Sequence, residues 1–138
     1  MNWYKKANNE LFEQVTLLAQ QLSNEFGANV DLYLTKNQDL KLDSIIVPKD
    51  KRQQGIGSRI VQRITDFADG NGLRTILTTG IRDPHVGTTS QSRLKKFYRQ
   101  FGFLNNKGRN KDFTITEDMF RPNAQTINQE NIDSNELV

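Results

Sequence analysis

The 138-residue sequence predicts a single α/β domain, and three patterns along the chain support that fold class. Apolar residues recur at helical spacing near the N-terminus, as at Leu11, Val15 and Leu22. The stretch NVDLYLTKNQDLKLDSIIVP alternates apolar and polar residues on both sides of KNQD, which predicts a β-hairpin. Gly55 and Gly57 then stand between a strand and a second helical pattern. Helices and strands that follow one another in this way indicate an α/β fold.

The same patterns place each element along the chain. In order, we predict a helix at about 3–25, strands near 29–35 and 39–47, a helix at about 56–69, a buried strand at 73–79, a helix at about 91–101 and two short strands around NKGRN within FLNNKGRNKDFTI. Gly27 and Gly102 are expected to end their helices, and Pro48 ends the second strand. The sequence contains no internal repeat.

Composition excludes several classes of protein. The chain has no cysteine, so disulfides and thiolate metal sites are excluded. No apolar run approaches the roughly 18 residues of a membrane span, and the N-terminus does not resemble a signal peptide. We therefore expect a soluble, cytoplasmic protein that binds no membrane and no metal.

Charge is divided unevenly along the chain. Residues 117–138 contain five acids and one base, a net charge of −4, so the total of +3 leaves +7 on residues 1–116. The bases cluster at 49–63, 93–99 and 107–111, where they are suited to a nucleic acid, an acidic protein or a phosphorylated cofactor. We predict a domain over 1–121 and a polar acidic tail over 122–138, which has little to bury.

The paired glycines do not fit two familiar phosphate-binding motifs. A P-loop requires a glycine followed by lysine, and no glycine in this chain is followed by lysine. A dinucleotide fingerprint requires a third glycine three residues after Gly57, where the chain has Ile60.

A third motif does fit. IIVPKDKRQQGIGSRIVQRI resembles motif A of the GNAT family of N-acetyltransferases, whose signature Q/R-x-x-G-x-G/A follows a strand. A second landmark of that family, an aromatic pair followed by Gly-Phe at the end of a later helix, corresponds to FYRQFGF. The resemblance covers roughly residues 30–116. It implies a mixed, largely antiparallel sheet flanked by helices, with a shortened N-terminal part.

The resemblance also implies acetyl-CoA as co-substrate. Backbone N–H groups at the start of the second helix would hold its pyrophosphate, since a helix N-terminus favours anions. The strand before this turn would offer unpaired backbone to pantetheine, as an added strand would. The cofactor-binding residues carried over from the family are Ile45, Ile46, Val47, Arg52, Gln53, Gln54, Gly55, Ile56, Gly57, Ser58 and Gln91. Gln91 stands where the family often has asparagine.

The catalytic residues implied by the resemblance are fewer. Tyr98 matches the tyrosine that protonates the sulfur of CoA. Asp43, which precedes the cofactor strand, and His85, the only histidine, are both candidates for the general base. A chain of water molecules, or an amine that arrives deprotonated, is the alternative to either.

The function predicted on these grounds is transfer of an acetyl group from acetyl-CoA to a primary amine by direct attack through a tetrahedral intermediate. A CoA-binding module without catalysis is one alternative. A basic nucleic-acid-binding domain is a weaker one, because interleaved aromatic residues on an exposed face are missing. The acceptor is not identified: it can be a small-molecule amine, a protein lysine or N-terminus, or an aminoacyl or nucleic-acid-linked amine. A homodimer is left open. We expect the first helix, the GIRDPHVGTTSQ segment and the final hairpin to form the acceptor pocket.

Overall fold

The chain folds into helices and strands that follow its hydrophobic pattern closely. The computed structural model describes residues 3–79 and 91–123, with side chains from residue 9 onward. In chain order its elements are α1 (Trp3–Phe26), β1 (Asn29–Leu34), β2 (Leu40–Ile46), a 3₁₀ turn (Lys49–Lys51), α2 (Ile56–Gly70), β3 (Thr75–Leu77), α3 (Gln91–Arg99), β4 (Leu104–Asn105), a second 3₁₀ turn (Gly108–Asn110) and β5 (Met119–Arg121). The predicted helices and hairpin are thus confirmed to within two residues at each end.

The strand predicted at 73–79 is shorter than expected, because its ends bond elsewhere. The N–H of Leu73 donates to the carbonyl of Ala68 at the end of α2, at 2.8 Å. At the other end, the N–H of Thr79 donates to the side chain of Asp118, at 2.9 Å. Only Thr75–Leu77 is left to pair within the sheet.

One strand prediction was wrong in position. The second strand of the final hairpin is β5, beyond the NKGRN segment where we expected it. The reason is Asn106, whose side-chain amide accepts from the N–H of Asp112 at 2.6 Å and donates to the carbonyl of Glu117 at 2.9 Å. These bonds hold residues 107–117 as a wide loop, so the chain returns to the sheet later than the turn residues suggest.

The sheet is mixed and largely antiparallel, as predicted, with the order β1-β2-β3-β5-β4. Only β2 and β3 are parallel, and α2 connects them. The hairpin β1–β2 pairs Asn29 with Ile46 and Leu34 with Leu40, with an irregularity at Asp31–Leu32. Both α1 and α2 contribute to one core against the sheet. Its largest fully buried apolar side chains are Val15, Leu22, Leu40, Ile60, Val61, Ile64, Leu77, Phe103 and Met119.

A single arginine joins three elements at the end of the sheet. Arg121 of β5 donates from Nη1 and Nη2 to the two carboxylate oxygens of Asp69, near the end of α2, at 2.6 and 3.0 Å. Its Nε donates to the carbonyl of Phe101, just after α3, at 2.7 Å. The Arg121 side chain is only 12% exposed, so this contact is sheltered from water. We call it the Arg121 clamp.

Within residues 3–79 and 91–123, none of the helices combines the length and hydrophobicity needed to cross a lipid bilayer. Most of the predicted tail, residues 124–138, lies outside the described residues.

Candidate active site

The central feature of the site is a gap between the two parallel strands. Strands β2 and β3 pair only from Leu40 with Thr75 to Leu42 with Leu77. Strand β2 nevertheless continues to Ile46 and remains paired with β1 to its end. Among the described residues, the opposite edge of 43–46 therefore has no strand beside it. At about 3.3 Å per residue this exposed edge is roughly 13 Å long.

The chain leaves β2 through a tight turn that begins α2. Gln53 and Gly55 both have left-handed backbones, with φ of 66° and 73°. The conformation at Gly55 favours glycine, which explains one of the two glycines in the motif. The first helical hydrogen bond runs from the N–H of Arg59 to the carbonyl of Gly55, at 3.1 Å. The N–H groups of residues 56–58 precede that bond, so they have no helical acceptor and point out of the helix start.

A depression of about 240 Å³ lies directly over this helix start. Its lining residues are Val47, Lys51, Arg52, Gln53, Gly55, Ile56, Gly57, Ser58 and Phe97. Gly57 is in ordinary helical geometry, and a Cβ added there would come within 3.8 Å of the Phe97 ring. Since both residues line the depression, any side chain at position 57 would occupy part of it. The second glycine keeps this space open.

Two basic side chains border the depression. Arg52 donates from Nε to the carbonyl of Val47, at 3.0 Å, which ties the turn to the end of β2. Lys51 lies against the end of α1, where its Nζ is next to Gly27. The positive charge of Arg52 and Lys51 adds to the partial charge of the helix start.

Several predicted cofactor residues are thus brought together, and others are not. Val47, Arg52, Gln53 and residues 55–58 line the depression. Ile45 and Ile46 lie on the exposed edge of β2. Gln54 does not line the depression, and its carbonyl accepts from Arg59 at 3.2 Å. Lys51, which we also expected to add charge at the pyrophosphate, lines the depression, and Phe97 is an addition that was not among the predicted cofactor residues.

Tyr98 lies on α3, whose neighbour Phe97 lines the depression. Its half-buried ring makes edge-to-face contacts with Phe97 and Phe103, at centroid distances of 5.1 and 5.4 Å. Loss of hydration raises the pKa of Tyr98 to about 12. The phenol is therefore protonated at neutral pH, which is the form that can donate a proton. Within the described part of the chain, its hydroxyl makes no hydrogen bond.

Gln91 begins α3 and joins a polar group that the sequence did not reveal. Asp118 accepts from the N–H and the hydroxyl of Thr79, at 2.9 and 2.6 Å. The Nε2 of Gln91 donates to Asp118 and to the Thr79 hydroxyl, at 3.3 and 3.4 Å. We call these three residues the Asp118 group. No sequence spacing relates positions 79, 91 and 118, so only the fold could bring them together.

Of the two candidate general bases, the structure describes Asp43 but not His85. Asp43 lies exposed on β2, one residue beyond the last pair with β3. It contacts Asp31 of β1, whose pKa is raised by loss of hydration and then by the hydrogen bond and charge of Asp43. His85 lies outside the described residues. Among those residues, no group of three or more His, Asp or Glu side chains is arranged to hold a metal ion.

A larger depression of about 730 Å³ lies at the opposite end of the parallel strands. Its basic residue, Arg74, donates to both carboxylate oxygens of Asp39, at 2.9 and 2.7 Å, and pairs with Asp112 as well. Two carboxylates thus neutralise one guanidinium. An anionic cofactor would gain little there, so the smaller depression is the better site for phosphate groups.

The chain resembles known proteins in sequence and in fold. Residues 13–104 match a family model described as an acetyltransferase (GNAT) domain. The crystal structure of the anti-CRISPR protein AcrVA5 is similar, with 22% identity, a TM-score of 0.51 and coverage of 67% of this chain and 87% of that one. A structure of Arabidopsis thaliana Naa50 with the bisubstrate analogue CoA-Ac-MVNAL has 19% identity, a TM-score of 0.40 and coverage of 67% and 59%. No curated protein sequence matches the chain.

Proposed function

The chain belongs to the GNAT family of acetyltransferases, and from that premise we propose that it transfers the acetyl group of acetyl-CoA to a primary amine. The observation that carries the proposal is the gap beside residues 43–46, which opens next to the helix start of α2. An extended amide-containing chain with a phosphate at one end fits both parts at once. Pantetheine with the pyrophosphate of CoA is such a chain.

The residues present suit this ligand. The N–H groups of residues 56–58 would hold the pyrophosphate, with Arg52 and Lys51 adding charge. The free edge of β2 at Ile45, Ile46 and Val47 would bond to the amides of pantetheine. Gln91 offers its side-chain carbonyl oxygen as a further acceptor at the start of α3, because its Nε2 is already used by the Asp118 group.

Tyr98 is the proposed proton donor. Acetyl-CoA supplies an activated acyl group, and transfer forms a C–N bond while the C–S bond breaks. Tyr98 would give its hydroxyl proton to the departing sulfur, and the proton that the amine loses restores the balance. A hydroxyl without a partner in the described chain, on a ring held by two aromatic neighbours, supports that role. Backbone N–H groups near Ile45 to Val47 would polarise the carbonyl.

Asp43 remains a proposal for the general base. It lies on β2 where the gap begins, and its carboxylate is exposed. Besides loss of hydration, its hydrogen bond and its charge both contribute to the raised pKa of the neighbouring Asp31, so the Asp43 side chain is close to the start of the gap and to a second carboxyl group.

An activity screen tests the proposal directly. Purified protein, acetyl-CoA and a panel of small amines and peptides are combined, and thiol release is followed. We expect amine-dependent release by the natural protein and none by Gly57→Glu, which places bulk and negative charge in the depression. Gly70→Glu, on the same helix where a Cβ meets open space, is the matched control and should keep activity.

Two results would contradict the proposal. If calorimetry shows that Gly57→Glu binds CoA as tightly as the natural protein, the phosphate site is assigned wrongly. If the natural protein binds CoA but acetylates no amine in the panel, the chain is a CoA-binding module instead.

A further inference from the structure

From the loop between β4 and β5 we infer that the protein binds single-stranded nucleic acid through Phe113 and the basic side chains that precede it. The basic cluster at 107–111 suits several anionic partners, and nothing in the sequence indicates that an exposed aromatic residue stands beside it. Phe113 is such a residue, because 87% of it is exposed. We call residues 107–113 the basic loop. The inference goes beyond the proposed function and does not depend on it.

The basic loop carries a concentrated positive charge. Lys107, Arg109 and Lys111 are all exposed. Within the described part of the chain, none of the three forms an ion pair with an acid. The acid of the loop, Asp112, is paired with Arg74 instead. Three positive charges therefore face solvent, where they can contact the phosphate groups of a nucleic acid.

Phe113 is placed for contact with a partner rather than for packing. It does not belong to the hydrophobic core, whereas Ile115, two residues later, is only 7% exposed. The Nζ of Lys111 lies 5.6 Å from the centre of the Phe113 ring, a cation–π distance. Since Phe113 is nevertheless 87% exposed, most of its ring is open to a base. Stacking of a base on such a ring tolerates any sequence, because every base has a flat face.

The turn that presents Phe113 is held by hydrogen bonds on both sides. The N–H of Asp112 donates to the side chain of Asn106 at 2.6 Å, and Asn106 is 7% exposed. The carboxylate of Asp112 accepts from the N–H of Thr114 at 2.9 Å and from its hydroxyl, and it pairs with Arg74. The backbone around Phe113 is thus fixed before a partner arrives. A preorganised contact loses little conformational entropy on binding.

These features favour a single strand over a duplex or an acidic protein. The bases of a duplex are stacked on one another, whereas those of a single strand can stack on an exposed ring. A protein partner would require several apolar residues at the centre of its interface. Phe113 is the one exposed large apolar residue of 107–117. One aromatic ring beside three cations is the composition expected for a contact with single-stranded nucleic acid.

The larger depression, of about 730 Å³, lies beside the basic loop. Asn110 and Asp112 of the loop line it, together with Asn37 and Gln38 of the turn between β1 and β2. Primary amides both donate and accept hydrogen bonds, so they are suited to the edges of bases. A strand whose phosphates contact the basic loop therefore has polar partners for its bases close by.

Fluorescence anisotropy with a labelled oligothymidylate of about 12 nucleotides tests the inference. We expect the natural protein to bind it with a Kd of about 1–100 μM at physiological salt. The logarithm of the affinity should fall against the logarithm of the salt concentration with a slope of about −2, since each of the three cations contributes about −0.7. Arg109→Gln should make this slope shallower by about 0.7. The control is Arg63→Gln, whose charge Glu25 already neutralises, and it should leave the slope unchanged.

Variants of Phe113 test the stacking. Phe113→Ala should weaken binding about fivefold to a hundredfold, the range for one lost stack of a base on an aromatic ring. Its melting temperature should stay natural, because the ring lies outside the core. Phe113→Trp should keep the affinity, and the oligonucleotide should quench the indole fluorescence that this variant adds. The matched control is Phe12→Ala, which removes a ring 53% exposed on α1 and should bind as the natural protein does.

Three results would overturn the inference. The first is natural affinity in Phe113→Ala. The second is displacement of the oligonucleotide by saturating CoA, which would place it in the smaller depression at the start of α2. The third is equally tight, Phe113-dependent binding of an oligoglutamate of the same length, which would indicate an acidic protein as partner. None of them affects the acetyltransferase proposal, which is tested by turnover, and failure of that proposal would leave the nucleic-acid site in place.

Discussion

Tyr98 combines two properties that oppose each other in most buried aromatic residues. Its ring packs between Phe97 and Phe103, as a core residue would. Its hydroxyl has no partner in the described chain and is not fully buried there, so it is open to a ligand or to water. The pKa of about 12 keeps the proton in place at neutral pH. A firmly held ring with an available proton is what positioned acid catalysis requires.

The variant Tyr98→Phe separates these two properties. It keeps the ring contacts and removes the hydroxyl, so we expect the melting temperature to change little. Turnover should fall about 10²- to 10⁴-fold, the usual range for a general acid, while affinity for acetyl-CoA stays near natural. Tyr33→Phe, on β1 with 41% exposure, is the control and should keep full turnover. Equal turnover by the two variants would remove Tyr98 from the mechanism.

The carboxyl pair on the hairpin makes stability depend on pH. The pKa of Asp31 is raised in the folded protein above its ordinary 3.8, partly by Asp43. Its ionisation therefore opposes folding, and the resulting loss of stability appears as pH rises above about 4. Asp43→Asn removes one cause of the shift. We expect this variant to gain up to about 1 kcal/mol relative to the natural protein at pH 7, and nothing at pH 3, in urea unfolding.

The control for that series is Glu13→Gln, which removes an exposed carboxylate of α1. It should show the pH dependence of the natural protein. If Asp43→Asn does so as well, the two hairpin carboxyl groups do not interact.

Among single residues, sequence patterns could identify Tyr98 but not Asp118. Tyr98 belongs to a local pattern, FYRQFGF, whose parts are neighbours in the chain. Asp118 appeared only as one of the acids after position 116. Its partners at 79 and 91 are brought to it by strand order, because β5 is inserted between β3 and β4. That insertion is a long-range property that no local spacing encodes.

At the scale of elements, the two glycines of the turn into α2 have different roles. Gly55 has a left-handed backbone, whereas Gly57 is helical and borders the depression. Gly55→Ala should lower the free energy of unfolding by about 1–2 kcal/mol, since a Cβ disfavours that conformation. Gly57→Ala should leave stability the same or raise it by up to about 1 kcal/mol.

Binding should depend on the size of the side chain at position 57. The family signature allows alanine there, and its methyl group would stand at 3.8 Å from the Phe97 ring, so Gly57→Ala should keep near-natural affinity for CoA. Gly57→Leu fills part of the depression, and we expect it to weaken CoA about tenfold to a hundredfold. The measurements are calorimetry with CoA and urea unfolding of the variants. A Gly57→Leu protein with natural affinity would show that phosphate lies elsewhere.

Elements with strong periodicity were predictable, and those fixed by side-chain bonds were not. The α2 helix follows from residues such as Ile60 and Ile64, which recur on one buried face. The position of β5 depends on the side-chain amide of Asn106, which bonds to backbone groups of Asp112 and Glu117 in the loop that precedes β5. A turn-rich segment such as NKGRN indicates where the chain can bend, but it does not indicate which later residues form the next strand.

At the scale of the whole molecule, the Arg121 clamp joins the helix that carries the phosphate turn to the helix that carries Tyr98. Arg121→Lys cannot make the bidentate pair with Asp69 and the bond to Phe101 together. We expect it to lower the free energy of unfolding by about 1–3 kcal/mol. The control is Arg63→Lys, whose pair with Glu25 is 41% and 52% exposed and should matter by less than about 1 kcal/mol. Similar midpoints for the two variants in urea would contradict a role for the clamp.

The gap beside β2 has a consequence for the exchange of backbone hydrogens with solvent. Along 43–46, alternate amides point towards β1 and towards the gap, because N–H groups alternate sides in a strand. Those facing β1 are held in the ladder and should exchange slowly in deuterium oxide. Those facing the gap should exchange orders of magnitude faster, although they belong to an interior strand of the sheet. Added CoA should slow only the fast set, so the protein would complete its own sheet with a molecule that is not a polypeptide.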